Sequence, residues 1–440
     1  MAQNYEKCRE ISLFLSKVLS IIYVITIMTV ELDMIQTAGI GALALLVGMW
    51  LTRRVGFLQR FCVPSPVSGG LIFSLLTLSC YSFLDITFTF DGTLKEIFML
   101  AFFTSVGFQS DLKVVRKGGK TLLFMLILLV VIISLQNLLP IIISRVIGVS
   151  PLVGMAAGSI SMAGGHGTAG GFASVMEQMG LSGAATISMA AATFGLIAGS
   201  TIGGPLAEKL ITRWSLSQPV EQPETLDPAM AGMESEEASP KGRMSRLSTN
   251  EIEYQRYAKA SYWIIVVMAL GTIASMALSS TGLSFPTYFG ALICAAIVRN
   301  VIEATPYRQK FDLDKVVSVG NICLSMFLGM AMISLKLWEL AALALPLLTI
   351  LASQVVMIAL FCYFIAFKVL GKDYDAAVLV AGICGFGLGA TPNAMANMSA
   401  VCYKYRYSVK PFLIVPIVGA MFVDIMNTGI ITIFLNWINR

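Results

Sequence analysis

Two glycine-rich stretches, Met162-Ala-Gly-Gly-His-Gly-Thr-Ala-Gly-Gly171 and Gly385-Phe-Gly-Leu-Gly-Ala-Thr-Pro-Asn393, interrupt regions of the chain that are otherwise apolar. The first lies in a segment with glycine at 154, 158, 164, 165, 167, 170 and 171, too poor in helix formers to cross a bilayer in one piece. Broken backbone at membrane depth is tolerated only where it is buried in protein or lines a wet cavity. Two such breaks at matching positions in two halves point to the binding site of a secondary transporter. The pattern therefore predicts two re-entrant hairpins, 151–176 and 374–398, with a site between their tips.

Composition supports the membrane setting. The 440 residues are 57% hydrophobic and only 12% charged, against about 25% charged in soluble domains. Apolar runs of spanning length fall near 11–30, 38–52, 63–83, 96–110, 121–144 and 184–206, then near 262–280, 285–298, 319–334, 343–367 and 411–436. That makes eleven crossings besides the hairpins. The run Ile11–Val30 is long and has no A-x-A site, so it reads as a retained helix rather than a cleaved signal. The net charge of +5 is loop bias, not a nucleic-acid footprint. The eight cysteines have neither CxxC nor metal-site spacing, so they read as reduced packing residues.

Charge placement tests the count. With a cytoplasmic N-terminus, all but four of the 30 Lys and Arg residues fall inside, the exceptions being Lys95, Arg145, Lys336 and Arg440. That satisfies the positive-inside rule, and counting either hairpin as a full crossing breaks it. Residues 207–260 are polar, carry Pro219, Pro223, Pro228 and Pro240, and read as a cytoplasmic linker. Around the linker the chain repeats: Pro64 matches Pro286, Leu112-Lys113 matches Leu335-Lys336, Thr168 matches Thr391 and Gly195 matches Gly419, at offsets of 222 to 224. Each repeat holds five crossings and a hairpin, and an odd number inverts the second repeat relative to the first. The expected fold is an all-α integral membrane protein: an extra N-terminal helix and loop (1–37), a first repeat (38–206), the linker, and a second repeat (261–440).

The chemistry follows from the breaks. A broken helix presents free N–H groups suited to carboxylates, and its other end presents carbonyls suited to Na⁺. Ser159, Ser161, Thr168, Thr391 and Asn393 add neutral donors, and the dense Gly164–Gly167 and Gly385–Gly389 clusters let a ligand approach the backbone. Gly154 and Gly158, four residues apart, read instead as helix-packing glycines. His166, the single histidine, sits at the first tip, and no HExxH or serine-nucleophile motif accompanies it, so the chain does not read as an enzyme. Asp424 is the one acid deep within a predicted span, a costly position that marks function by default. Asn427 lies three residues on, on the same helical face, and offers Na⁺ another oxygen.

These residues resemble a known family. Gly164-Gly-His-Gly-Thr168, Gly385-Phe-Gly-Leu-Gly-Ala-Thr-Pro392, Ala396-Asn-Met398 and Asp424-Ile-Met-Asn427 are similar to the bacterial glutamate:sodium symporters. So are Pro66-Val-Ser-Gly-Gly-Leu71, Leu335-Lys-Leu-Trp-Glu-Leu340 and Lys372-Asp-Tyr-Asp-Ala-Ala377. The resemblance implies Na⁺-coupled uptake of L-glutamate across the bacterial inner membrane by a homodimer. It also implies elevator-type motion of a hairpin-bearing domain against a fixed scaffold. The expected substrate contacts are Ser161, Gly164, Gly165, His166, Gly167, Thr168, Gly387, Gly389, Ala390, Thr391 and Asn393, and the expected Na⁺ ligands are Asp424, Asn427, Gly385 and Asn397. No organic cofactor is implied. Two positions depart from the pattern: Asn393 stands where the family more often has threonine, and Ile383 where histidine is common. A symporter of another small organic anion, such as a hydroxycarboxylate, keeps the same architecture, and an ion channel is the further alternative.

Overall fold

The computed structural model describes residues 28–111, 119–216, 243–280 and 285–439. Residues 11–27 of the expected first span, the Leu112-Lys113 member of one repeat match, and linker residues 217–242 lie outside the described residues.

Residues 28–30, expected at the end of the first span, are not helical. Met28–Leu32 form strand β1, paired in parallel with β2 (Ile86–Phe90), Met28 opposite Ile86 and Leu32 opposite Phe90. Threonine, valine, isoleucine and phenylalanine in these segments favour a pleated surface. A short apolar run does not by itself separate strand from helix.

The rest is helical. In the first half come α1 (Met34–Arg54), α2 (Ser65–Leu84), α3 (Thr93–Phe108) and α4 (Gly119–Ile147), then the broken pair α5 (Pro151–Ala156) and α6 (Gly165–Gln178), then α7 (Ala184–Arg213). The second half has the same order: α8 (Arg243–Ser279), α9 (Thr287–Glu303), α10 (Leu313–Ile333), α11 (Ala344–Phe361), and the broken pair α12 (Tyr374–Leu388) and α13 (Thr391–Lys404). A final helix follows, α14 (Val409–Ile417), which runs through a π turn at Val418–Phe422 into α15 (Val423–Ile438). Local chemistry sets the starts. Asp33 and Gln36 form a reciprocal capping box on α1, and Pro64 and Pro286 precede α2 and α9 with nearly the same extended conformation.

Three expectations change. Among the described residues seven helices are long and apolar enough to cross a membrane, but α3 has 16 residues and α9 has 17. The run 411–436 is interrupted by the π turn, two residues after Pro416, which lacks an N–H and crowds the preceding turn. The linker is also shorter than 207–260: α7 extends to Arg213 and α8 begins at Arg243. Residues 243–260 are rich in charge and good helix formers, so they carry no apolar stripe yet continue the helix.

The helices sort into two bundles. One joins α1, α2 and α3 to α8, α9 and α10. The other gathers α4, α7, α11, both broken pairs and α14–α15. Packing within each is dense, and contact between them is sparse. Small residues let the second bundle close tightly. A Cβ on Gly195 would lie 2.2 Å from Leu388 O, which seats α7 directly on α12. Gly154 and Gly158 bear out their packing role, because a Cβ on either would meet the backbone of α4 at Pro140 O (2.5 Å) or Gln136 O (2.8 Å).

Candidate functional site

The two glycine loops meet. In the first, Ser150 caps α5, its Oγ accepting from Leu152 N at 3.3 Å, and α5 stops at Ala156. The chain then turns and restarts as α6 at Gly165, whose φ of +58° is in the left-handed region that suits glycine. In the second, Asp373 caps α12 by accepting from Ala376 N at 2.7 Å. Gly389 and extended Ala390 break the chain, and Thr391-Pro392 begins α13, with proline in the first turn where its missing N–H does no harm. A Cβ on Gly165 would lie 3.3 Å from Gly389 O, so the two breaks touch.

Between them is a cavity of about 190 Å³. Ala163 to Gly167, Phe386 and Gly389 to Thr391 line it from the loops, and Leu196, Gly419, Val423 and Asp424 line it from the same bundle. Pro64, Phe102, Leu324 and Leu328 close it from the other bundle. Neither α6 nor α13 has a side-chain cap, so the positive ends of two 14-residue helices open on one cavity. Asp424, two residues past the π turn, is the acid that faces them. Among the described residues nothing donates a hydrogen bond to its carboxylate or pairs with it. His166 is buried, its Nε2 lying 3.0 Å from Thr193 Oγ1. That hydroxyl gives its single proton to Met189 O at 2.9 Å, so Nε2 is the donor to it.

The model for the family described as sodium/glutamate symporter matches residues 30–407. The chain belongs to the sodium/glutamate symporter family. It is 37% identical over 407 residues to the sodium/glutamate symporter of Escherichia coli K12, covering 92% of this chain and 98% of that one. It is 38% identical over 405 residues to that of Haemophilus influenzae, covering 92% and 97%. A solved sodium proton antiporter from Methanocaldococcus jannaschii resembles it at a TM-score of 0.40 and 14% identity, over 93% of this chain and 95% of that one, a likeness too slight to carry a fold assignment. Family and helices together make this a multi-pass membrane protein, a transporter rather than an enzyme.

Within this symporter-family site the expected residues divide. Gly164, Gly165, His166, Gly167, Gly389, Ala390, Thr391 and Asp424 line the cavity. Ser161, Thr168, Gly387 and Asn393 stand behind it. Ser161 Oγ reaches Ala156 O (2.5 Å) and Ser188 O (2.8 Å). Thr168 is buried, and its hydroxyl has no partner among the described residues. The Asn393 amide lies 2.5 Å from Ser200 Oγ and 3.1 Å from Leu196 O. Three of the four expected cation ligands also lie away from the cavity. Asn427 Nδ2 donates to Ser159 O at 3.0 Å, and Asn397 Nδ2 to Gly199 O at 2.8 Å. Gly385 packs on α13, where a Cβ would lie 2.4 Å from Ala394 N. Asp424 and Asn427 share a helix but not a destination.

Gln136 and Asn137, adjacent in α4 and fully buried, were not among the expected residues. Gln136 Nε2 donates to Gly387 O at 2.5 Å, and Gln354 Nε2 donates to Gln136 O at 2.8 Å. Asn137 Oδ1 accepts from Ser159 N (3.1 Å) and Ser159 Oγ (2.9 Å). One dipeptide thus tethers both glycine loops. The signal was present: two amides side by side in the middle of a 29-residue apolar helix. Replacing Gln136 by leucine leaves Gly387 O buried without a donor, at about 1–3 kcal/mol. The expected result is a KM for the transported substrate raised about tenfold or more with normal membrane insertion. An unchanged KM reduces Gln136 to a packing residue.

Proposed function

We propose that this protein couples Na⁺ entry to uptake of L-glutamate across a bacterial inner membrane, with its N-terminus in the cytoplasm. The observation that carries this is the single cavity joining two uncapped helix N-termini to one unpaired carboxylate. L-Glutamate has the complementary pattern of two carboxylates and one ammonium. In this reading the N–H groups of Gly165 to Gly167 take one carboxylate and those around Thr391 take the other. Asp424 faces the cation, Na⁺ or the substrate ammonium. Thr391 adds a hydroxyl, and His166, already donating to Thr193, orders the first tip. Ser161, Gly387, Asn393, Asn397 and Asn427 act by holding the loops. The volume of about 190 Å³ is below the roughly 300–1,000 Å³ of drug-sized sites, which suits a small metabolite.

The cavity lies where the two bundles face each other, and their sparse mutual contact supports an elevator. The bundle bearing the loops moves past the α1–α3/α8–α10 bundle, which serves as the fixed scaffold of a homodimer. The recurring element order and the matched Pro64 and Pro286 support two inverted repeats.

Purified protein in proteoliposomes is expected to take up labelled L-glutamate saturably when an inward Na⁺ gradient is imposed, and not when choline replaces Na⁺. A hydroxycarboxylate that competes as well as glutamate reassigns the substrate. Flux that neither saturates nor follows the Na⁺ gradient makes the protein a channel.

A further inference from the structure

A second cavity, of about 560 Å³, lies apart from the glycine loops, where α8, the end of α9, the turn Pro306–Lys310 and the start of α10 meet. Its floor is a set of ion pairs that complete one another. Buried Glu303 holds Arg299 at 2.6 Å and Arg308 at 2.8 Å, and Asp312 holds Arg256 at 2.5 Å. Two charges on the walls are left over and opposite in sign: Lys259 of α8 and Asp314 of α10 are exposed and have no ion-pair partner among the described residues. Between them stand aromatic rings, Trp263 packing edge-on against Tyr307 and Phe311 with centroids 6.2 Å apart in each case.

The surroundings place this cavity at a membrane interface. Beyond it α8 turns Tyr262, Ile265, Val266 and Ile273 outward, each more than half exposed, and α9 does the same with Ile297 and Val301. A rim of charge and aromatic residues at the end of an apolar helical band is how a spanning bundle meets head groups.

We propose that this cavity binds the head group of a zwitterionic phospholipid carrying a primary ammonium. The phosphate sits on Lys259, with Arg308 beside it, since that guanidinium is 62% exposed while paired with Glu303. The ammonium sits on Asp314 against the aromatic wall. The acyl chains follow the outward apolar faces of α8 and α9. A head group that carries the phosphate charge alone satisfies Lys259 but offers Asp314 no cation, so the mixed signs select for the zwitterion. Free phosphate shares the first contact and none of the others.

The test uses the full-length protein in detergent, stripped of lipid and offered equal amounts of phosphatidylethanolamine and phosphatidylglycerol, with retained lipid counted by native mass spectrometry. Wild type is expected to keep phosphatidylethanolamine at least fivefold over phosphatidylglycerol. Lys259→Ala is expected to lower retention of both about tenfold, and Asp314→Asn to abolish the preference while phosphatidylglycerol binding holds. Both positions are exposed, so folding is not at stake, and Lys259→Arg is expected to restore retention. Equal retention of the two lipids by wild type overturns the proposal, as does Lys259→Ala binding like wild type. Displacement of the lipid by inorganic phosphate alone shows a phosphate site without lipid recognition and also overturns it.

Discussion

Asp424→Asn is expected to abolish Na⁺-driven glutamate uptake, or to raise the Na⁺ concentration for half-maximal uptake by about 10- to 100-fold. The carboxylate faces the cavity and nothing in the described protein compensates it. In a setting of low dielectric a bare carboxylate is costly, and a visiting cation offsets that cost. A hydrogen bond or contact to a charged group contributes about 1.5–3 kcal/mol, and each 1.4 kcal/mol is tenfold in affinity. Asparagine keeps the shape and one oxygen, so the side chain still packs and the loss falls on the cation. The measurement is initial uptake against Na⁺ concentration in proteoliposomes, normalised to protein inserted. A variant with wild-type Na⁺ dependence removes Asp424 from the cation site. Asn427 is the informative contrast. Its amide donates to Ser159 O, away from the cavity, so Asn427→Leu is expected to disturb the first loop and glutamate affinity before Na⁺ affinity.

The second large effect is at the point where the loops touch. Gly165→Val is expected to lower uptake at least 100-fold while the protein still inserts and folds. Two causes act together. The φ of +58° disfavours any side chain by about 1–2 kcal/mol, and a β-branched one more. The added Cβ also lies 3.3 Å from Gly389 O and projects valine methyls into the space between the loops. Gly389→Val should behave similarly, since its Cβ would meet Leu196 Cα at 3.3 Å. Gly39→Val is the control, because nothing lies within 4 Å of a Cβ there. Normal uptake by Gly165→Val means that the ligand does not occupy the space between the tips.

Much of the framework is written in local sequence. Apolar runs mark the long helices because a spanning segment must be apolar along its whole length. The two glycine clusters mark the breaks because backbone without a side chain can approach another backbone closely. A serine before Pro151 and an aspartate before Tyr374 mark the starts of the broken helices, since a capping oxygen acts within three residues. Asp424 was legible for a related reason: its cost of burial is a property of the residue itself.

Other features depend on partners distant in the chain. Gln136 meets Gly387 across 251 positions, and Asn427 meets Ser159 across 268. No periodicity says which polar side chain will reach the ligand and which will hold the loop that does. That is why Gly385, Asn397 and Asn427, correct in chemical type for Na⁺, lie outside the lining of the cavity. The strand pair of Met28–Leu32 with Ile86–Phe90 was hidden in the same way, because a strand's hydrogen bonds are completed only by its distant partner. A helix completes its hydrogen bonds within itself, so the sequence alone determined where most of the long apolar helices lie and where the two glycine segments break. Tertiary packing decided what the breaks enclose: six helices in one bundle, the glycine loops in the other, and at their boundary one small cavity with two helix ends and a single carboxylate.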